Sequence, residues 1–216
     1  MNKRPALVLG LILQMVIVAS LAFGQQRDWL QYAPAVVTVS FPSGHGSGVL
    51  IGQQDGAGYV ATCRHVAALS PAISIGWYDG HWGIGRVIAV SAQSDVALIR
   101  TSPPPAGIEH VCLGAVTDWP KQGSTVHMFG HGGRDGRLMH WSDSVQGYVR
   151  GSEPDLIVLP PSAIPGDSGG PIVQNGKVVG LVSQGGGATL GPNVVALQRL
   201  VHLAAPQVLV ACSGGT

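Results

Sequence analysis

One stretch can set a nucleophile where a substrate backbone can reach it: residues 164–171, IPGDSGGP. A serine hydroxyl at a tight turn ringed by glycines meets no side chains that would block a close approach. Glycine also accepts the backbone angles such a turn imposes. The same glycines leave neighbouring N–H groups free to converge on one point, which is what a developing oxyanion requires. The chemistry implied is attack of Ser168 on a carbonyl carbon. The competing reading of a short GxSxG is a Gly-rich β-turn that holds a serine by chance. Six contiguous residues, GDSGGP, are far more specific than that.

GDSGGP resembles the nucleophile loop of the trypsin/chymotrypsin-like serine peptidases. The resemblance implies a histidine and then an aspartate upstream. Residues 61–66, ATCRHV, resemble the TNRHV and TAAHC stretches of bacterial and animal members, with His65 as the implied general base and Cys63 a departure from the bacterial spelling. Residues 46–51, GSGVLI, resemble the family's GSGFII strand just before it. Residues 94–99, SDVALI, resemble the DxALI segment and make Asp95 the implied orienting carboxylate. A carboxylate bonded to one imidazole nitrogen fixes the tautomer and stabilises the imidazolium that forms. Taken alone, His65 would read as an ordinary polar residue and Asp95 as a strand-initiating cap. Asp79 sits in a turn with Gly80, where aspartate is common for local reasons, and Glu109 does not enter an apolar strand.

The resemblance reaches further into the second half. It implies that the N–H groups of Gly166 and Ser168 are the oxyanion donors. Ser183, Gln184 and Gly185 would pair with an extended peptide by strand addition. Ser162 would lie at the base of the primary specificity pocket, with Asn193 on its far wall. No acidic residue stands there, which argues against lysine or arginine. Val182 stands where glutamate-specific relatives carry histidine, which argues against acidic residues and leaves small or medium uncharged ones. Asp167 matches the aspartate that pairs with a freed N-terminal amine in zymogens, but no IVGG-like terminus is present, so zymogen cleavage is not implied. The motif spelling is nearest to HtrA-type protease domains. The 48 residues after Ser168 are too few for their PDZ domain. The likeness covers roughly residues 35–200.

The elements that must position these groups read as short strands. Residues 35–41, 46–51, 59–63, 73–78 and 82–90 are rich in β-branched residues and are separated by turn signals such as Asp55-Gly56 and Asp79-Gly80. Residues 124–129, 139–150, 156–159 and 177–183 continue the pattern. The expected class is all-β, with two six-stranded antiparallel Greek-key barrels in the trypsin-like arrangement. Residues 193–205 read as a last strand turning into a short C-terminal helix stopped by Pro206. The run of Pro103, Pro104 and Pro105 cannot continue a ladder and marks a semi-rigid connection. The first barrel is expected over about 35–105 and the second over about 118–200, within a peptidase domain of 25–216.

Composition agrees with a packed globular domain. Of 216 residues, 45% are hydrophobic and 11% charged, so the chain can bury a substantial core. Thirty-two glycines and 15 prolines without a collagen period fit many turns. A net charge of +1 leaves no footprint for nucleic acid, and no feature sets an oligomeric state. Asn2-Lys3-Arg4 followed by the apolar run 6–23 reads as an export signal (residues 1–24), cleaved near Ala22 or Gly24. The run is also long enough to remain as a membrane anchor, the one membrane contact expected. Either outcome places the body outside the cytoplasm, secreted or periplasmic. Among Cys63, Cys112 and Cys212 at most one bridge can form; Cys112 with Cys212 is one reading and three buried thiols the other. His127, His131 and His140 fit no compact zinc spacing and read as surface and turn histidines, so neither metal nor organic cofactor is expected. The reading is a serine endopeptidase acting on polypeptides through His65, Asp95 and Ser168 and an acyl-enzyme. Its rivals are a catalytically silent or partner-activated peptide-binding module of the same fold, and an esterase with the same machinery. The α/β-hydrolase order of Ser, acid and His is opposite to the one seen.

Overall fold

The computed structural model describes residues 28–68, 73–149, 156–183 and 187–213. It divides into two compact units, Met1–Gln31 and Tyr32–Thr216. Of the first unit, the described part is a 3-10 turn, Asp28–Gln31.

β1 (Val36–Phe41), β2 (Gly44–Gln54), β3 (Ala57–Thr62), β4 (Ile73–Gly76), β5 (Trp82–Val90) and β6 (Ala97–Thr101) close into a barrel of order β1-β2-β3-β6-β5-β4. Every ladder in it is antiparallel, and closure comes from β1 pairing with both β2 and β4. The β-branched run Val36, Val37, Thr38, Val39 suits a strand held on both edges. β3 is buried along its whole length, and a lid of helix packs on its barrel neighbours β2 and β6. That lid is α2 (Val194–Ala204) and α3 (Pro206–Ser213); Leu197, Leu200, Val201 and Val208 share one apolar cluster with Tyr59, Val60 and Leu98. Pro206 does end α2, but it also opens α3, since proline at the first helical position gives up no needed donor.

Gly52 shows how closely the lid sits. A Cβ there would fall 2.5 Å from Val208 Cγ1, and Val208 is stiff and only 2% exposed. Gly52→Ala is therefore expected to cost about 1–3 kcal/mol by overpacking, read as a lower midpoint in urea with an unchanged slope.

The second half holds β7 (Thr125–Gly130), β8 (Met139–Ser144), β9 (Gly147–Val149), β10 (Leu156–Leu159), β11 (Pro171–Gln174), β12 (Lys177–Leu181) and β13 (Thr189–Pro192). They form one sheet of order β12-β11-β7-β8 and another of order β13-β10-β9. The stretch expected to run unbroken through 139–150 bends after Ser144: Val145 N–H donates to Ser124 O at 3.0 Å, while Gln146 N–H donates to Val158 O at 2.8 Å. One residue thus serves each sheet. A bridge between Gly180 and Asn193 joins the sheets again on the other side, around a core of Val126, Met128, Ile157, Leu159, Ile172 and Val179.

The connection between the halves is pinned to both. Val111 N–H reaches Leu50 O at 2.9 Å, and Val178 N–H reaches Cys112 O at 2.9 Å. Cys112 is disulfide-bonded and Cys63 is a free, buried thiol; the side chain of Cys212 lies outside the described residues. Among the described residues no helix is long and apolar enough to cross a membrane. The apolar run 6–23 lies outside them.

Candidate active site

Three loops meet where the two halves face each other. The first is the join of β3 to the short helix α1 (Arg64–Ala67), which carries His65. The second is the entry to β6, which carries Asp95. His65 is tied to this carboxylate twice: its backbone N–H donates to Oδ1 at 2.9 Å and its Nδ1–H to Oδ2 at 2.7 Å. The Ser183 hydroxyl donates to the same Oδ2. Burial raises the Asp95 carboxyl, but the His65 imidazole, the Ser183 hydroxyl and the His65 N–H together outweigh it and hold the group well below the usual carboxylate range. Asp95 is thus a fixed anion. The Asp79–His81 pair has a like Nδ1–Oδ2 contact of 2.8 Å, but it is a local turn with an imidazole 75% exposed.

The third loop is the nucleophile turn. Gly169, at φ +91°, could not be another residue: a Cβ there would lie 2.1 Å from Ser47 O. That close approach lets Ser47 N–H donate to Ser168 O at 2.7 Å and Gly169 N–H to Val182 O at 2.7 Å. Ser168 Oγ donates to Ser183 O at 2.9 Å. The turn's own bonds use the N–H groups of Asp167, Gly169 and Gly170. Among the described residues, those of Gly166 and Ser168 have no acceptor.

Ser47 is a site residue that the sequence named only as part of a strand. Its hydroxyl accepts from His131 N–H at 2.8 Å and donates to Gly166 O at 2.7 Å, clamping the nucleophile turn to β2 and to the end of β7. Ser47→Ala leaves both groups without that partner in a buried place. We expect a stability loss of about 1–3 kcal/mol, measured by thermal unfolding.

Asp167 is buried. Ile164 N–H donates to its Oδ2 at 2.9 Å, while Oδ1 has no hydrogen-bond partner among the described residues. Burial raises its carboxyl; the Ile164 and Gly132 N–H groups and the nearby His131 and His45 oppose that rise. His131 is not the surface histidine its turn context suggests. It is 7% exposed, burial pushes its imidazole down, and its Nδ1–H donates to Gly136 O at 2.9 Å. His127 and His140 lie apart from it, stacked at 5.3 Å across β7 and β8 with Nδ1 and Nε2 3.1 Å apart. Burial and the neighbouring His127 push His140 down to about 4.

The two expected pocket residues have different surroundings. Ser162 is exposed, its N–H bonded to Thr189 Oγ1 at 3.1 Å. Its Oγ accepts from the indole N–H of Trp141 at 2.9 Å, a neighbour that sequence reading missed. Asn193 is 1% exposed and caps α2, its Oδ1 accepting from Val195 N–H at 2.8 Å. Asparagine is among the favoured residues before a helix, and the sequence "PNVVALQRL" carried that signal. Gln184 and Gly185 lie outside the described residues.

The sequence profile of the family described as Trypsin-like peptidase domain matches residues 46–181. The chain is 28% identical over 156 residues to the serine protease Do-like HtrA of Bacillus subtilis (strain 168), covering 65% of this chain. It spans only 33% of that relative's length. Among solved structures, the Rv3671c protease of M. tuberculosis in an inactive form superposes with a TM-score of 0.68 at 20% identity, over 82% of this chain and 92% of that one. A serine endoprotease from Yersinia pestis gives 0.67 at 17% identity, over 84% and 65%. At such identities these structures speak to the fold alone.

Proposed function

The chain belongs to the trypsin-like peptidase domain family, and on that premise we propose that it is an extracytoplasmic serine endopeptidase working through an acyl-enzyme. Ser168 is the nucleophile, His65 the general base and then acid, and Asp95 the orienting anion. The observation that carries this reading is the double tie of His65 to Asp95, by backbone and by Nδ1, in a carboxylate also held by Ser183. With Nδ1 protonated toward Asp95, Nε2 is left as the acceptor for the serine proton. Attack makes a tetrahedral oxyanion, for which the N–H groups of Gly166 and Ser168 are the donors. His65 returns the proton to the leaving amine, and water repeats the sequence on the acyl-enzyme.

Polypeptide is the substrate class. Ser183, with Gln184 and Gly185 after it, would pair with an extended backbone. Ser162, with no acidic residue at that place, and Val182 before Ser183 favour a small or medium uncharged side chain at the cleavage site. The bridge at Cys112 supports an oxidising compartment, in keeping with the apolar run 6–23 as signal or anchor.

One contact favours a second reading. The Ser168 hydroxyl is given to the Ser183 carbonyl, the group an incoming strand would use. A module silent until a peptide or partner occupies that carbonyl has the same geometry. Fluorophosphonate labelling of the full chain separates the two. Labelling that Ser168→Ala and His65→Ala both abolish supports the constitutive enzyme. A folded chain that never labels overturns it, and one that labels only with peptide present selects the second reading.

A further inference from the structure

We propose that Cys63, His65 and Asp95 form a binding site for a thiophilic divalent ion of the zinc class, and that its occupancy switches the peptidase off reversibly. The switching rests on the triad reading above; the binding does not. Cys63 Sγ, a His65 ring nitrogen and an Asp95 carboxylate oxygen all lie within 4.8 Å of one another. An ion that takes nitrogen and oxygen at about 2.0–2.2 Å and sulfur at about 2.3 Å gathers donors of that spread by small side-chain rotations. Sulfur, imidazole and carboxylate together suit zinc or cadmium. Magnesium and calcium prefer oxygen alone. Three protein donors leave a fourth position for water, as in open zinc sites.

Access runs from the solvent side. The His65 side chain is 47% exposed and that of Asp95 24%, so an ion meets these first. The Cys63 thiol, at 0% exposure beneath them, then supplies the inner bond. In the resting state this sulfur donates to Val182 O at 3.2 Å, a long bond to exchange.

The effect on chemistry follows from which nitrogen is taken. Nδ1 faces Asp95, so an ion inserted there moves the ring proton to Nε2 and releases the thiol proton to solvent. Nε2 then donates and cannot accept the proton of Ser168. No covalent bond to substrate changes, and a chelator reverses the state.

The test uses the full chain and its rate of fluorophosphonate labelling. Zinc should slow the wild type about tenfold or more, EDTA should restore it, and magnesium should do nothing. Cys63→Ala should label normally without zinc and require about tenfold more zinc for the same slowing. In Ser168→Ala, cobalt(II) should give a thiolate-to-metal charge-transfer absorption that the added Cys63→Ala removes. Equal zinc sensitivity with and without the thiol overturns the proposal. So does a missing cobalt–thiolate band, which remains decisive if Cys63→Ala does not fold. A chain that never labels but shows that band fails the triad reading and keeps the metal site.

Discussion

Ser168→Ala is expected to lower peptide hydrolysis about a million-fold, and His65→Ala to lower it about as far. The two groups act as one device. Without the hydroxyl there is no acyl-enzyme, and without the imidazole the hydroxyl keeps its proton, so the double variant should be no slower than either single one. What survives should be the contribution of main-chain donors. The N–H groups of Gly166 and Ser168 persist in both variants, and such donors with substrate binding still leave about 1,000- to 10,000-fold over water. The substitution is local: among the described residues Ser168 Oγ bonds only to Ser183 O, while the clamp from Ser47 uses the main chain. Unfolding temperature should therefore barely move. Single-turnover hydrolysis of a peptide library, beside thermal unfolding of each variant, decides the matter. Strict additivity of the two losses would mean that Ser168 and His65 do not work in one step.

Local chemistry was legible in the chain, and contacts made across it were not. GDSGGP announces its turn because glycine and serine dictate the backbone within six residues. The segments around His65 and Asp95 each declare a polar group at the end of an apolar strand. β5 was readable to its ends, Trp82–Val90, since turn residues flank it on both sides. Ser47 illustrates the limit. Its role depends on Gly166, 119 residues away, and on His131, 84 away, and no periodicity carries such pairings. Trp141 meets Ser162 only because of how β8 and the nucleophile turn are brought together. His131 looks like a turn residue in GHGGR, yet the fold buries it beside Asp167. Asn193 differs from these. Its helix-capping signal was local and strong, and the pocket role came from resemblance, which places residues by alignment and not by their own bonds.

Asp95→Asn should keep the fold and cost about 10,000-fold in turnover. Asp95 accepts three hydrogen bonds, from His65 N–H, His65 Nδ1–H and the Ser183 hydroxyl. An amide offers one oxygen and one NH2, so one of those donors must face another donor. The cheapest relief is for the ring to move its proton to Nε2 and accept from the amide at Nδ1. That tautomer aims an N–H at Ser168, so the serine proton has no acceptor. The loss should appear in kcat with KM little changed, because no group that would touch substrate has moved. Stability against pH carries an independent signature. The Asp95 carboxyl lies below its unfolded value, so its share of stability is present above about pH 4 and lost as pH falls through and below that value. Asp95→Asn lacks this titration, and the acid limb of its unfolding profile should be shallower than that of the wild type. A variant with full turnover would remove Asp95 from the mechanism. One with lost turnover and an unaltered acid limb would leave Asp95 in the chemistry but place its charge outside the fold's acid sensitivity.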